Sequence, residues 1–75
     1  MTKKSRHRRL MSCTRELVIR AEEMHQIDLY GVTPEQVVAY VFGQYRMDID
    51  EEEAVRYLKA VLVARGHSIA HLVNP

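Results

Sequence analysis

The most constraining feature of the sequence is the run Thr33-Pro34-Glu35-Gln36, which has the composition of a helix start. Threonine at the N-cap and glutamine three residues later can bind each other's backbone N–H groups, and proline is favoured at the first helical position. Val32 and Val37 flank this start and can form a hydrophobic staple. The apolar residues that follow would also suit a strand. Because the capping signal is specific to helices, we predict a helix from Pro34 to about Tyr45.

A second helix start lies at Asp50, which is followed by three glutamates. Aspartate is a favoured N-cap, and carboxylates in the first turn are stabilised by the positive end of the helix dipole. Arg65 followed by Gly66 is typical of a helix end. Apolar residues recur at helical spacing between these two signals, at Ala54, Val55, Leu58, Val61 and Leu62.

A third apolar pattern occupies the N-terminal part of the chain and ends near Gly31. Its members lie on one helical stripe: Leu10, Cys13, Leu17, Ala21, Met24 and Ile27. This helix begins either at a cap on Ser12 or further back, within the basic residues that precede it. The C-terminal residues predict a short helical turn that packs back on the other helices through Ile69, Leu72 and Val73.

Together these segments predict an all-α fold. The expected architecture is a small three-helix bundle, with or without a short fourth helical turn at the C-terminus. The short linkers between the segments are typical of compact bundles. We divide the chain into a basic N-terminal arm, residues 1–11, and a helical domain, residues 12–75. A domain of this size is marginally stable alone, and the single cysteine, Cys13, excludes a disulfide within one chain.

The same features favour a cytoplasmic location. A lone cysteine and the lack of a secretory apolar segment indicate a reducing compartment. The longest apolar run has six residues, whereas a bilayer-spanning helix needs about 20. The arginine-rich start also suits an organellar transit peptide, but such a segment does not normally continue directly into a helical pattern. We therefore expect no membrane partner.

Charge is strongly polarised along the chain. The first twenty residues carry seven bases and one acid, a net +6, and the rest carry four bases and nine acids, a net −5. A basic arm attracts phosphates or acidic surfaces, although it can also be a solvated terminus that only keeps a protein soluble. The residues expected to bind nucleic acid or an acidic partner are Lys3, Lys4, Arg6, Arg8, Arg9 and Arg15. The acidic patch at residues 48–53 could also hold the arm of another molecule.

A helix-turn-helix is an obvious elaboration, because Ala39 and Gly43 are spaced like the small residues of that motif. The third helix would then be the recognition helix, whose N-terminus contacts DNA. Five carboxylates at that point would repel phosphates: Asp48, Asp50, Glu51, Glu52 and Glu53. We therefore exclude this docking mode and assign any nucleic-acid binding to the arm and the basic side of the first helix, largely without base readout.

Two segments resemble parts of ubiquitin-associated and related small three-helix modules. Leu29-Tyr30-Gly31-Val32 is similar to their glycine-containing loop, and residues 50–58 are similar to their third helix. The resemblance implies a protein-binding surface formed by the loop, with Tyr30 and Val32, and by helix three. The second helix is longer than in that family, and we do not assign the chain to it.

The second helix has a further property, because six consecutive apolar residues cover its whole circumference. Such a helix must be buried on more than one side. It is either central in the bundle or forms a homodimer interface, which would also compensate for the small core. In the bundle, we expect Val38, Val41 and Phe42 to pack with Leu58 and Leu62. The residues expected at a protein interface are Tyr30, Val32, Val38, Val41, Phe42 and Tyr45.

Catalytic and metal chemistry find little support in the sequence. His67 and His71 would share a helical face, but two imidazoles do not complete a zinc site. The acidic run lacks the alternating ligands and glycine of a calcium loop. Cys13 lies on the apolar stripe and is expected in the core. We therefore expect no enzyme, no cofactor and no metal site.

The sequence thus favours a small non-enzymatic regulatory or adaptor module that acts through protein–protein interaction and forms a homodimer. The alternative is a sequence-nonspecific nucleic-acid-binding protein that uses its basic N-terminal arm.

Overall fold

The computed structural model describes residues 3–24 and 31–73, with the side chains of 5–24 and 31–72. It contains four helices and, within those residues, no strand: α1 (Lys3–Glu23), α2 (Pro34–Tyr45), α3 (Glu51–Ala64) and the short turn α4 (Ala70–Val73). The three long helices pack against one another. The predicted all-α three-helix bundle is therefore confirmed.

Helix α2 begins and ends where the sequence predicts. The backbone N–H of Gln36 donates to Thr33 Oγ1 at 3.2 Å, and the N–H of Thr33 donates to Gln36 Oε1 at 3.0 Å, which completes the capping box. Val32 and Val37 on either side are buried, as a hydrophobic staple requires. The helix ends at Tyr45, and its C-cap is Arg46, a left-handed residue (φ 55°) whose N–H donates to the carbonyl of Phe42 at 2.8 Å.

Helix α3 also follows its predicted signals. Asp50 Oδ1 accepts a hydrogen bond from the N–H of Glu53 at 2.7 Å and caps the helix. At the other end Gly66 adopts φ +81°, and the N–H of His67 returns to the carbonyl of Leu62 at 2.9 Å. A left-handed residue at this position lets the chain turn back and satisfy helix-end carbonyls, and glycine adopts it without strain.

Helix α1 takes the longer of its two predicted forms and starts at Lys3. The boundary proposed at residue 11 therefore falls inside a continuous helix, and Leu10 on its N-terminal side is fully buried. Thr14 is buried next to it, with its hydroxyl donating to the Leu10 carbonyl at 2.7 Å. The basic segment is thus tied to the bundle by a core residue.

The apolar stripe of α1 is only partly as predicted. Leu10 and Cys13 are in the core, and Leu17 packs against it, but Met24 is exposed. An α-helix drifts by about 20° per heptad from a strict seven-residue repeat, so the face that meets the core shifts along the helix. Val18 is buried in consequence. Ile27, the last residue of the predicted stripe, lies outside the described residues.

Side-chain contacts fix the relative directions of the helices. Arg9 near the start of α1 contacts Tyr45 at the end of α2, so these two helices are antiparallel. Arg6 pairs with Glu53 and Glu22 with Arg65, so α1 and α3 are parallel. The first turns of α1 and α3 and the last turn of α2 therefore lie together at what we call the mixed-charge end of the bundle.

The core lies between the three long helices and includes Val32, Ile49 and the partly buried Ile69 and Leu72 of the C-terminal turn. Ile69 and Leu72 pack onto the bundle as the sequence predicts, and the side chain of Val73 lies outside the described residues. Among the helices of the described residues, none is both long enough and apolar enough to cross a bilayer.

Candidate protein-interaction surface

The basic segment meets the acidic segment at the mixed-charge end. The guanidinium of Arg6 donates two hydrogen bonds to the Glu53 carboxylate, one of them from Nη2 to Oε1 at 2.7 Å. These bonds lower the pKa of Glu53 and raise the pKa of Arg6. One turn away, His7 Nδ1 and the Tyr57 hydroxyl are 2.8 Å apart. The contact between basic arm and acidic patch, which the sequence suggested between two molecules, is made within one chain.

The other predicted basic residues separate into two groups. Arg8 and Arg15 are exposed on the side of α1 that faces away from the core. Arg9 lies against α2, with its guanidinium carbon 5.0 Å from the centre of the Tyr45 ring. The side chains of Lys3 and Lys4 lie outside the described residues. The four predicted bases whose side chains are described therefore do not form one patch: Arg6, Arg8, Arg9 and Arg15.

Two half-exposed aromatic rings mark the C-terminal half of α2. Phe42 is 42% exposed and Tyr45 is 40% exposed. Each ring lies under a guanidinium, because the guanidinium carbon of Arg46 is 5.4 Å from the centre of the Phe42 ring and that of Arg9 lies over Tyr45. We call Arg9, Phe42, Tyr45 and Arg46 the arginine–aromatic surface. Arg46 is absent from the residues predicted, although its position four residues after Phe42 is a signal for such a contact.

Three of the predicted interface residues are buried or partly buried in the single chain: Val32, Val38 and Val41. Val32 and Val41 are buried within the single chain, so the expectation that Val32 is exposed is wrong. The reason is the hydrophobic staple, which turns Val32 inward beside Val37. Val38 is partly buried against the core. Tyr30 lies outside the described residues. Of the predicted set, Phe42 and Tyr45 are the described residues that remain exposed.

Acidic side chains border the arginine–aromatic surface. The loop after Arg46 leads directly into the start of α3, and its carboxylates are exposed: Asp48, Asp50, Glu51 and Glu52. Charges of both signs therefore share the mixed-charge end, whereas in the sequence they are separated by about half of the chain.

A second ionic cluster lies at the opposite end of the bundle and joins the end of α1 to the residues that follow α3. Arg65 donates from Nε to Glu22 Oε2 at 2.9 Å and from Nη2 to Oε1 at 2.7 Å, while His67 Nε2 lies 2.5 Å from Oε2. His71 Nε2 donates to the carbonyl of Val32 at 3.2 Å. Both histidines considered as metal ligands therefore have other partners, and the described residues contain no group of three side chains placed to hold a metal ion.

This cluster predicts a pH-dependent stability. The hydrogen bonds from Arg65, and then from His67, lower the pKa of Glu22 from its ordinary 4.5 to about 2. A lowered pKa in the folded state stabilises the fold above the ordinary value, and this contribution is lost as the pH falls from 4.5 towards 2. Glu22→Gln should therefore be less stable than the wild type above pH 4.5, and the two should converge near pH 2.

Urea unfolding midpoints measured across this pH range check the prediction. Glu23→Gln is the matched control, because Glu23 is the next residue and is exposed. Its unfolding curve should follow the wild type throughout. A constant difference between wild type and Glu22→Gln at every pH would contradict the assignment of the effect to the Glu22 carboxylate.

The single cysteine of the chain lies in the core. Cys13 is buried in the core, and burial raises the pKa of its thiol, which disfavours the reactive thiolate.

Comparison with known proteins adds no assignment, since no family model, curated protein or solved structure matches this chain.

Proposed function

We propose that this chain is a small non-enzymatic protein-interaction module, acting in regulation or as an adaptor, whose binding surface is the arginine–aromatic surface. The observation that carries this proposal is the pair of half-exposed rings on α2, each with a guanidinium on one face. Tyrosine and arginine are enriched among the residues that contribute most to protein–protein affinity.

The arrangement of these side chains also favours binding. A guanidinium held over a ring has less rotamer freedom to lose when a partner arrives, and ordering of flexible side chains is one of the main costs of association. The guanidinium of Arg46, which lies over the Phe42 ring, can still donate hydrogen bonds in its own plane. The surface therefore combines apolar area with fixed polar donors, as the centre of a protein interface does.

The distribution of charge also favours a protein partner over nucleic acid. A protein that binds nucleic acid presents a basic patch to the phosphates. At the mixed-charge end, Arg6 is paired with Glu53, and exposed carboxylates adjoin Arg46. These acids repel phosphates but are compatible with a protein surface that carries charges of both signs.

A second candidate function is nucleic-acid binding by the outer face of α1. Arg8 and Arg15 are both exposed there, and their separation of seven residues corresponds to about 10.5 Å along the helix. Such a face can contact a phosphate backbone without reading bases. This candidate depends on Arg8 and Arg15, whereas the first depends on Phe42 and Tyr45.

The two candidates are separated by binding measurements on matched variants. Affinity capture from extracts of the cells that produce the protein would use Phe42→Ala/Tyr45→Ala beside the wild type. Val63→Ala is the control, because Val63 is 60% exposed on the outer side of α3. We expect a partner that wild type and control retain and that the double variant loses, with affinity reduced about tenfold for each ring.

Fluorescence anisotropy tests the second candidate with labelled random-sequence duplex DNA and single-stranded RNA, at about 50 and 200 mM salt. Under the first candidate neither probe binds tightly. Tight binding that weakens steeply with salt, and that Arg8→Glu/Arg15→Glu abolishes, would contradict the protein-interaction proposal and support nucleic-acid binding.

A further inference from the structure

The outer face of α2 is exposed along its whole length. Glu35, Ala39, Phe42, Gly43 and Arg46 are all exposed, and their spacing places them on one side of the helix. An acid therefore lies at one end of this face and a base at the other, about 16 Å apart along the axis. Between them the surface is apolar, with one large ring beside two small residues.

Gly43 has no explanation in the part of the chain that the structure describes. A methyl group at this position would meet no atom of the described residues within 4 Å, and Gly43 is not among the residues with positive φ. Glycine inside a helix is less stable than alanine by about 1 kcal/mol. Internal packing and backbone geometry therefore do not require glycine here, whereas close approach of another helix to this face would.

We infer that a second copy of this chain packs on the outer face of α2, with the two α2 helices antiparallel about a two-fold axis. This inference rests on the proposed function, because it names the partner of the surface that contains Phe42 and Arg46. The alignment that places Glu35 opposite Arg46 of the second copy also places Ala39 opposite Phe42 of the second copy. Symmetry repeats each contact, giving two ion pairs and two ring-on-alanine contacts.

Charge complementarity selects this occupant and this direction. A parallel pairing would oppose Glu35 to Glu35 and Arg46 to Arg46, and like charges in contact are strongly unfavourable. The antiparallel pairing satisfies both charges with the same chain and needs no other partner. The small size of the monomer core adds to the argument, since domains of this size are commonly stabilised by association.

The experiment is sedimentation velocity over a range of protein concentrations up to millimolar, at low salt. The wild type should form a dimer whose population rises with concentration. Glu35→Arg and Arg46→Glu should each dissociate the dimer, because each substitution opposes like charges at both ion pairs. We expect the dissociation constant to rise about tenfold or more for each opposed pair.

Mixing the two variants gives the decisive measurement. The equimolar mixture of Glu35→Arg and Arg46→Glu should form a heterodimer, because one chain is then basic at both positions and the other is acidic at both. Both ion pairs are restored, one of them with its charges exchanged. The matched control is a mixture of Glu51→Arg with Arg46→Glu, since Glu51 is an exposed acid outside this face. In that mixture Glu51→Arg should dimerise only with itself, as the wild type does, while Arg46→Glu stays monomeric and no heterodimer forms. Circular dichroism of each variant separates loss of association from loss of the fold.

Other outcomes overturn the inference. A wild type that stays monomeric at all concentrations excludes the dimer, and single variants that dimerise like the wild type exclude this arrangement. If the wild type is monomeric but Phe42→Ala/Tyr45→Ala still loses a captured partner, the inference fails and the proposed function stands. If the wild type is monomeric and Phe42→Ala/Tyr45→Ala retains every partner that the Val63→Ala control retains, the inference and the proposed function both fail.

Discussion

Replacing Leu10 with alanine is expected to lower the free energy of unfolding by about 2–5 kcal/mol. Leu10 is fully buried between the helices, although it follows directly after the basic residues at the start of the chain. A domain of 75 residues has a total stability of roughly 4–11 kcal/mol. The substitution should therefore remove a large part of the stability, or all of it. Urea denaturation followed by far-UV circular dichroism measures the change.

The matched control is Arg8→Ala, two residues earlier on the exposed side of α1. It should change the stability by no more than about 0.5 kcal/mol. Equal, small effects of the two substitutions would show that the start of α1 contributes little to folding, and that the basic segment behaves as an independent arm.

Adjacent residues in α2 should respond in opposite ways to the same substitution. Val41 is fully buried, so Val41→Asp places an unpaired charge in the core, which destabilises by about 3–5 kcal/mol or more. We expect this variant to be unfolded. Phe42 is partly exposed, so Phe42→Asp should keep the fold, with a loss near 1 kcal/mol. Circular dichroism and the unfolding midpoint distinguish the two variants.

One result would contradict the predicted difference between Val41→Asp and Phe42→Asp. If Phe42→Asp unfolds the chain as Val41→Asp does, Phe42 is a core residue and the arginine–aromatic surface loses its central ring. Val63→Asp serves as the control for placing a charge at an exposed apolar position on another helix, and it should keep the fold.

The sequence predicts the helix ends well where local hydrogen bonds decide them. Thr33, Gln36 and Asp50 bind backbone groups within three residues of themselves, so their geometry depends little on the rest of the fold. The glycine turn after α3 is local in the same sense, since Gly66 follows the last residues of the helix directly. Such signals can be recognised from a short stretch of sequence.

The start of α1 could not be predicted in this way, because its stabilising contacts are distant in the sequence. Arg6 pairs with Glu53, which is 47 residues away, and Leu10 is buried by residues of the other helices. The first turn from Lys3 contains neither an acidic residue nor a proline that would mark this start. Whether the helix extends through the basic segment therefore depends on tertiary packing.

The candidate surface was predictable only in part for a related reason. Six apolar residues in a row show that α2 is buried on more than one side, but they do not show which of them face α1 and α3. Two helices meeting at that point bury Val37 and Val41 and leave Phe42 outside. The meeting of opposite charges at one end likewise follows from the parallel arrangement of α1 and α3, which no local pattern encodes.

The cluster around Glu22 affects which surface of the bundle stays accessible when a tag, tether or further domain is attached to the chain. It joins the end of α1 to Arg65 and His67, and the contact of His71 with the Val32 carbonyl holds the C-terminal turn close by, at the opposite end from Phe42 in a bundle whose longest dimension is 35 Å. A tag, tether or further domain attached on the C-terminal side would therefore leave the arginine–aromatic surface pointing away from the attachment. One attached on the N-terminal side would emerge beside that surface, so immobilisation through the C-terminal side is the orientation that keeps it accessible.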